Sequence, residues 1–141
     1  MQNDDFLEWS SKYITGIETI DEQHKMLIDM INEANFRLRT VVSRVVVQEI
    51  VHDLMSYALY HFETEEELMA DHGYAGEQAE DAAHHIQEHR GFSQTVASVQ
   101  QDLATGGSVT REVLLSFLNN WLINHILNTD MRLGVFLNSR I

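Results

Sequence analysis

The sequence predicts an all-α protein: an up-down-up-down antiparallel four-helix bundle with an N-terminal arm and a short C-terminal helical tail. Three observations lead there. Four long stretches place apolar residues three and four apart, the spacing that lines one face of an α-helix. The chain has no proline, and its seven glycines lie mostly outside those stretches. Only short segments separate the stretches, and short connections join helices that run antiparallel.

Residues 1–18 form the arm. The first helix is expected over about 19–40, with Ile17, Ile20, His24, Leu27, Ile31, Ala34 and Leu38 on one seam. Ser43 suits the N-cap of a second helix, about 44–72, because its hydroxyl can accept from an unpaired amide of the first turn. That seam holds Val47, Ile50, Leu54, Tyr57, His61, Glu65 and Leu68. Gly73 is placed to end the helix, and His72 suits the negative end of its dipole. The third helix, about 77–105, starts near Gly76 or Glu77. Its seam is the most regular: Ala82, His85, His89, Phe92, Val96, Val99 and Leu103. Gly106 and Gly107 break it. Ser108 or Thr110 caps the fourth helix, about 110–128, which carries Leu114, Leu118, Trp121, Leu122 and His125. From Asp130 to Leu137 the tail is expected to form one or two more turns. Val41–Val47 is β-branched enough to suggest a strand, but it is isolated and is expected to span the turn between the first two helices.

A chain of 141 residues reads as a single domain, 1–141, large enough to fold without cross-links. It has no cysteine, which removes thiolate metal sites, thiol catalysis and haem attachment through Cys. Its formal charge of -13 argues against nucleic acid and against anionic membrane surfaces, since both need a basic face. No basic segment followed by an apolar run opens the chain, and no apolar stretch is long enough to span a bilayer. The expectation is a soluble, cytoplasmic protein.

The seams are interrupted by seven polar residues: His24, His61, Glu65, His85, His89, His125 and Asp130. Residues four apart on a helix lie one turn along and about 40° around, so His61/Glu65 and His85/His89 are neighbouring pairs on inward faces. Depth agrees as well. In an antiparallel bundle the start of the first helix is level with the end of the second, the start of the third and the end of the fourth, so all seven meet at one end. Asp130 lies five residues past His125, a spacing that a regular α-helix does not align, so the helix is expected to loosen or end between them. Burying so many imidazoles and carboxylates without partners would cost several kcal/mol each, whereas metal coordination removes that cost. Nitrogen and oxygen donors without sulfur favour first-row metals such as iron. Ferritin-like di-iron proteins use Glu-x-x-His pairs on two helices. The sole such pair here, Glu49–His52, lies on the face opposite His61, so that arrangement is excluded.

Other residues read more simply. His52 is expected to be solvated. His84 adjoins His85 and can pair with Glu88, but His85 continues the seam. Glu66 and Glu67 read as a solvated face, and Met26, Met30, Met55 and Met69 as core filler.

The spacing resembles the hemerythrin family over nearly the whole chain. It includes Trp9 and Gly16-Ile17 in the arm, Ile20-Asp21-x-Gln23-His24, His61-Phe62-x-x-Glu65-Glu66, His85-x3-His89-x2-Phe92, and Trp121-Leu122-x2-His125-Ile126-x3-Asp130. The resemblance implies two iron ions with an oxo or hydroxo bridge. His85, His89 and His125 would hold one ion, His24 and His61 the other, and Glu65 and Asp130 would bridge them. Two octahedral ions so ligated keep one open position, on the ion with two histidines. The resemblance also places Leu27, Phe62, Trp121, Leu122 and Ile126 around that position as an apolar oxygen pocket. It implies reversible dioxygen binding for carriage, storage or delivery to an oxygen-consuming enzyme, with no side chain acting as acid or base. The alternatives are a di-iron redox enzyme (oxidase, peroxidase or nitric oxide reductase), iron handling, or oxygen sensing. An enzyme would call for titratable groups near the open iron, where this sequence offers Leu, Phe, Trp and Ile.

Overall fold

In the computed structural model, which describes residues 6–40 and 43–140, four helical rods pack antiparallel. The first is α1, Glu18–Thr40, and the second is α2, Arg44–Asp71. A one-turn helix, α3 (Tyr74–Glu77), precedes the third rod, α4, Ala79–Ala104. The fourth is continuous: α5 (Arg111–Asn124), a π-helical turn over His125–Asp130, and α6 (Met131–Asn138). α1 packs against α2 and α5, and α2 against α4. There is no strand among the described residues.

Local chemistry sets the helix ends. The Ser43 hydroxyl accepts from the Val46 amide at 3.2 Å and Thr110 from the Val113 amide at 3.1 Å, each satisfying a first-turn N–H. α2 stops because Gly73 takes φ 74, the left-handed conformation, while His72 Nδ1 lies 3.0 Å from the Leu68 carbonyl. Arg44 donates to the carbonyls of Leu103, Gly106 and Gly107, tying the start of α2 to the end of α4.

Three expectations need correction. The third rod does not run unbroken from near Gly76, because the chain bends at Gln78 (φ -129, ψ 60) between α3 and α4. Met26 is not core filler: it is 46% exposed, whereas Met69 is buried. Val45–Val47 belongs to α2 and not to a connection; Val41 and Val42 lie outside the described residues.

The apolar interior comes as two clusters. The larger runs from Leu27, Phe62, Phe92, Leu122 and Ile126 towards the far end of the bundle. The smaller joins Ile17, Ile20, Met69, Tyr74, Ala82, Leu133, Phe136 and Leu137. The arm is fastened beside the smaller one. Asp21 accepts from the Thr15 amide and hydroxyl, both at 2.8 Å, and from the Gly16 amide at 3.1 Å, while Asn138 donates to the Thr15 carbonyl at 2.9 Å. Gly16 has φ 90, and a Cβ there would lie 2.8 Å from Asn138 Nδ2. Gly16→Ala is therefore expected to destabilise the fold by about 1–3 kcal/mol, read as a lower urea midpoint. An unchanged midpoint would show that the arm carries no such strain. No helix among the described residues is long and apolar enough to cross a membrane.

Candidate metal centre

Each rod passes from the smaller apolar cluster to the larger one, and the seven polar seam residues occupy the crossing. His24 falls between Ile20 and Leu27 on α1; His61 and Glu65 lie between Ala58 and Met69 on α2. His85 and His89 fall between Ala82 and Phe92 on α4. On the fourth rod the π-turn holds the place expected to loosen. Its wider winding pairs residues five apart, which brings Asp130 to the same face as His125. All seven are at most 2% exposed.

Their contacts divide into two sets. Glu65 Oε1 lies 3.0 Å from His85 Nε2, 2.9 Å from His89 Nε2 and 3.6 Å from His125 Nε2. Glu65 Oε2 faces the other two, at 3.1 Å from His61 Nε2 and 3.5 Å from His24 Nε2. Asp130 divides the same way: Oδ1 is 3.2 Å from His85 and 3.1 Å from His125, and Oδ2 is 2.7 Å from His24. Two donor groups able to hold a cation result, Glu65–His85–His89–His125 and His24–His61–Glu65–Asp130. Both carboxylates reach across from one group to the other, and the second group has one imidazole fewer.

Hydrogen bonding alone does not satisfy this cluster. Nε2 of His24, His61 and His125, Glu65 Oε2 and both Asp130 oxygens are buried without a hydrogen bond, although His24 Nε2 and Asp130 Oδ2 are 2.7 Å apart. At that distance the failure is one of angle: the ring N–H axis does not aim at the oxygen. Nitrogen and oxygen lone pairs converging between atoms, and not on one another, fit a cation held among them.

The charges point the same way. Burial alone would lower the His24 pKa, but the Asp130 and Glu65 carboxylates together outweigh it and push the imidazole up to about 9. His125 is raised well above its ordinary value by Asp130 and Glu65 against the same burial, and His85 is raised as well. Burial and the neighbouring His125 and His85 leave His89 lowered. Burial would raise Glu65, yet His61 and the other imidazoles hold it well below the usual carboxylate range. The pocket is built for positive charge.

The outward nitrogens of three imidazoles are also held. His61 Nδ1 lies 2.7 Å from Gln23 Oε1, His89 Nδ1 2.9 Å from Glu66 Oε2, and His125 Nδ1 2.6 Å from Glu88 Oε1. Thr129 Oγ1 donates to the same Glu88 oxygen at 2.7 Å, and exposed His84 meets the other at 2.6 Å. Glu66 is thus only partly solvated, unlike exposed Glu67, and neither Gln23 nor Glu88 stood out in the sequence as a partner of the site. A signal was available: each adjoins a seam residue in sequence, about 100° around the helix, where a side chain points to the neighbouring rod. His52 is exposed, with Nδ1 3.3 Å from Asp53 Oδ1.

Apolar groups wall one side. Phe62 stacks on His89 with ring centroids 4.0 Å apart and sits 6.0 Å from His61, and Trp121 stacks on His125 at 4.5 Å. Leu27, Leu122 and Ile126 are buried in the same cluster, with Trp121 packed against it.

The family model for the hemerythrin HHE cation binding domain matches residues 15–137, a span that includes all seven residues. The chain belongs to the hemerythrin family. Hemerythrin relatives include the bacteriohemerythrin of Stenotrophomonas maltophilia, 33% identical over 88% of this chain and 76% of its own length. The bacteriohemerythrin of Methylococcus capsulatus is 29% identical over 91% of this chain and 94% of its own. A crystal structure of wild-type hemerythrin superposes with a TM-score of 0.82 at 28% identity, covering 93% of this chain and 97% of the other. The four-rod architecture is thus the hemerythrin one.

Proposed function

We propose that this chain is a single di-iron domain that binds dioxygen reversibly, for carriage, storage or delivery of oxygen, and is not itself an enzyme. The observation that carries this reading is the division of Glu65 and Asp130 between two histidine sets of unequal size. His85, His89 and His125 would hold one iron, His24 and His61 the other, and the two carboxylates would bridge them. A carboxylate facing one set alone would suit a single ion; here each presents one oxygen to each set. When bound, two ferrous ions with nitrogen and oxygen ligands supply the electrons that reversible dioxygen binding needs, and the set with fewer imidazoles is the one with room for an exogenous ligand.

The protein's own part is to hold five imidazoles with Nε2 inward, to balance charge with two carboxylates, and to keep water away. Leu27, Phe62, Trp121, Leu122 and Ile126 serve the last role. No hydroxyl, amide or titratable group from these five side chains points to proton transfer, which favours binding over turnover. The expected partners are dioxygen and an oxygen-consuming enzyme, in the cytoplasm.

The test is to reduce the iron-loaded protein without air, admit oxygen, then remove it while recording the visible spectrum. A band that appears and reverses over several cycles, with about two irons per chain, supports a carrier. Steady oxygen consumption in the presence of reductant would instead mark a redox enzyme and sink the proposal. As a site control, His61→Ala should lose preferentially the iron of the two-histidine set, and His89→Ala should weaken the other, by at least about tenfold in affinity. Full iron and reversible binding in either variant would overturn the ligand assignment.

A further inference from the structure

The outer partners of the five imidazoles are distributed unevenly. Both carboxylates among them, Glu66 and Glu88, back histidines of the three-histidine set, His89 and His125. The two-histidine set has only a neutral amide, Gln23 behind His61. Nδ1 of His24 and of His85 has no hydrogen-bond partner among the described residues. An imidazole whose N–H points at a carboxylate is a stronger donor through its other nitrogen than one backed by an amide, because negative charge behind the ring raises its basicity. Electron donation is thus concentrated on one side of the centre.

We propose that Glu66 and Glu88 are positioning residues that make the three-histidine set the tighter, more electron-rich metal site. The neutral Gln23 leaves the two-histidine set weaker and more electrophilic. The inference rests on the two-metal reading above. It gives the open position a reason beyond the ligand count: the metal with room for an exogenous ligand is also the one with the weaker donors.

The two carboxylates should not contribute equally. Glu88 has a 27% exposed side chain and is held by His125, Thr129 and His84 together. Glu66 is 41% exposed and, among the described residues, is paired with His89, so water screens more of its charge. Glu88 should have the larger effect. Its geometry also separates charge from shape. Thr129 donates to the Glu88 oxygen that faces His125, so an amide in Glu88→Gln would keep an oxygen there and hold the ring in place. Glu88→Gln removes the charge, whereas Glu88→Ala removes the acceptor as well.

The experiment is a calorimetric titration of the metal-free full chain with Co(II), with visible absorption recorded in parallel. The wild type should bind in two steps of different affinity, with His89→Ala identifying the tighter step as that of the three-histidine set. Glu88→Gln should weaken that step about 10- to 100-fold, Glu66→Gln by less, and neither should move the weaker step. Gln23→Glu should tighten the weaker step and narrow the gap. If Glu88→Gln binds like the wild type while Glu88→Ala is weakened, Glu88 only orients the ring and the proposal fails. Equal weakening of both steps would overturn it too. Wild-type uptake of a single Co(II) would overturn the two-metal reading, and this proposal with it, and is distinguishable from failure of the asymmetry alone.

Discussion

Removal of the metal is expected to lower the unfolding midpoint by roughly 15–30 °C. An ion bound at a free concentration 1,000-fold above its Kd adds about 4 kcal/mol, and a domain of this size moves ~2–4 °C per kcal/mol, so two ions give a shift of that order. The structural cause lies in the crossing layer between the two apolar clusters. Without cations it holds five imidazoles and two carboxylates at most 2% exposed, with several of their inward atoms unpaired. The raised imidazoles His85 and His125 then face each other with ring centroids 4.9 Å apart. The larger cluster does not depend on metal, so helical structure at low temperature should survive chelation. Melting curves before and after a strong chelator, and again after refilling with Zn(II), measure the effect. A midpoint that does not move would mean that these seven residues hold no structural metal.

Glu65→Ala should remove both metals together, leaving well under one ion per chain at micromolar metal. Among the described residues, Glu65 is the carboxylate paired with all five imidazoles: its two oxygens lie within 3.6 Å of every Nε2 in the cluster. Losing it removes the charge that both sets share and leaves each with an unbalanced group of buried nitrogens, a cost well beyond the 10- to 100-fold typical of an outer partner. Glu65→Gln keeps the shape but not the charge and should fall between. Glu67→Ala, at an exposed position on the opposite face of α2, is the control and should keep the wild-type content. Elemental analysis of purified, reloaded protein settles the comparison. Retention of both ions by Glu65→Ala would remove Glu65 from its bridging role and leave Asp130 to carry it.

Much of this centre was readable before any coordinates. Helical periodicity is a local property, so His61/Glu65 and His85/His89 could be placed on inward faces from spacing alone, and depth matching brought His24 and His125 level with them. The five-residue step to Asp130 marked a disturbance in the helix, and the π-turn at His125–Asp130 is that disturbance. Legibility failed where a side chain's role depends on the neighbouring rod. From the sequence Glu66 reads as part of a solvated face and Glu88 as a partner for His84, because their own helix places them at the edge of the seam. Only the packing of α2 against α4, and of α4 against the π-turn, sets them behind His89 and His125. Met26 failed the other way: apolar and one residue before Leu27, it faces solvent because no rod covers that side.

The sequence by itself determined the all-helical class, the four seams, and the seven residues that break them at a common depth. These follow from the 3.6-residue period and from the cost of burying polar groups, and both can be read along a single chain. Tertiary structure decided how the site is closed and divided. Closure comes from α6, which reads as a short tail but carries Leu133, Phe136 and Leu137 onto Ile17, Ile20 and Tyr74, so the polar layer is sealed between two apolar clusters and does not lie at an open end. Division comes from the axial and rotational register of the rods, which turns one oxygen of Glu65 and of Asp130 to each histidine set. That register is fixed by contacts between residues distant in sequence, and a local period carries no information about it.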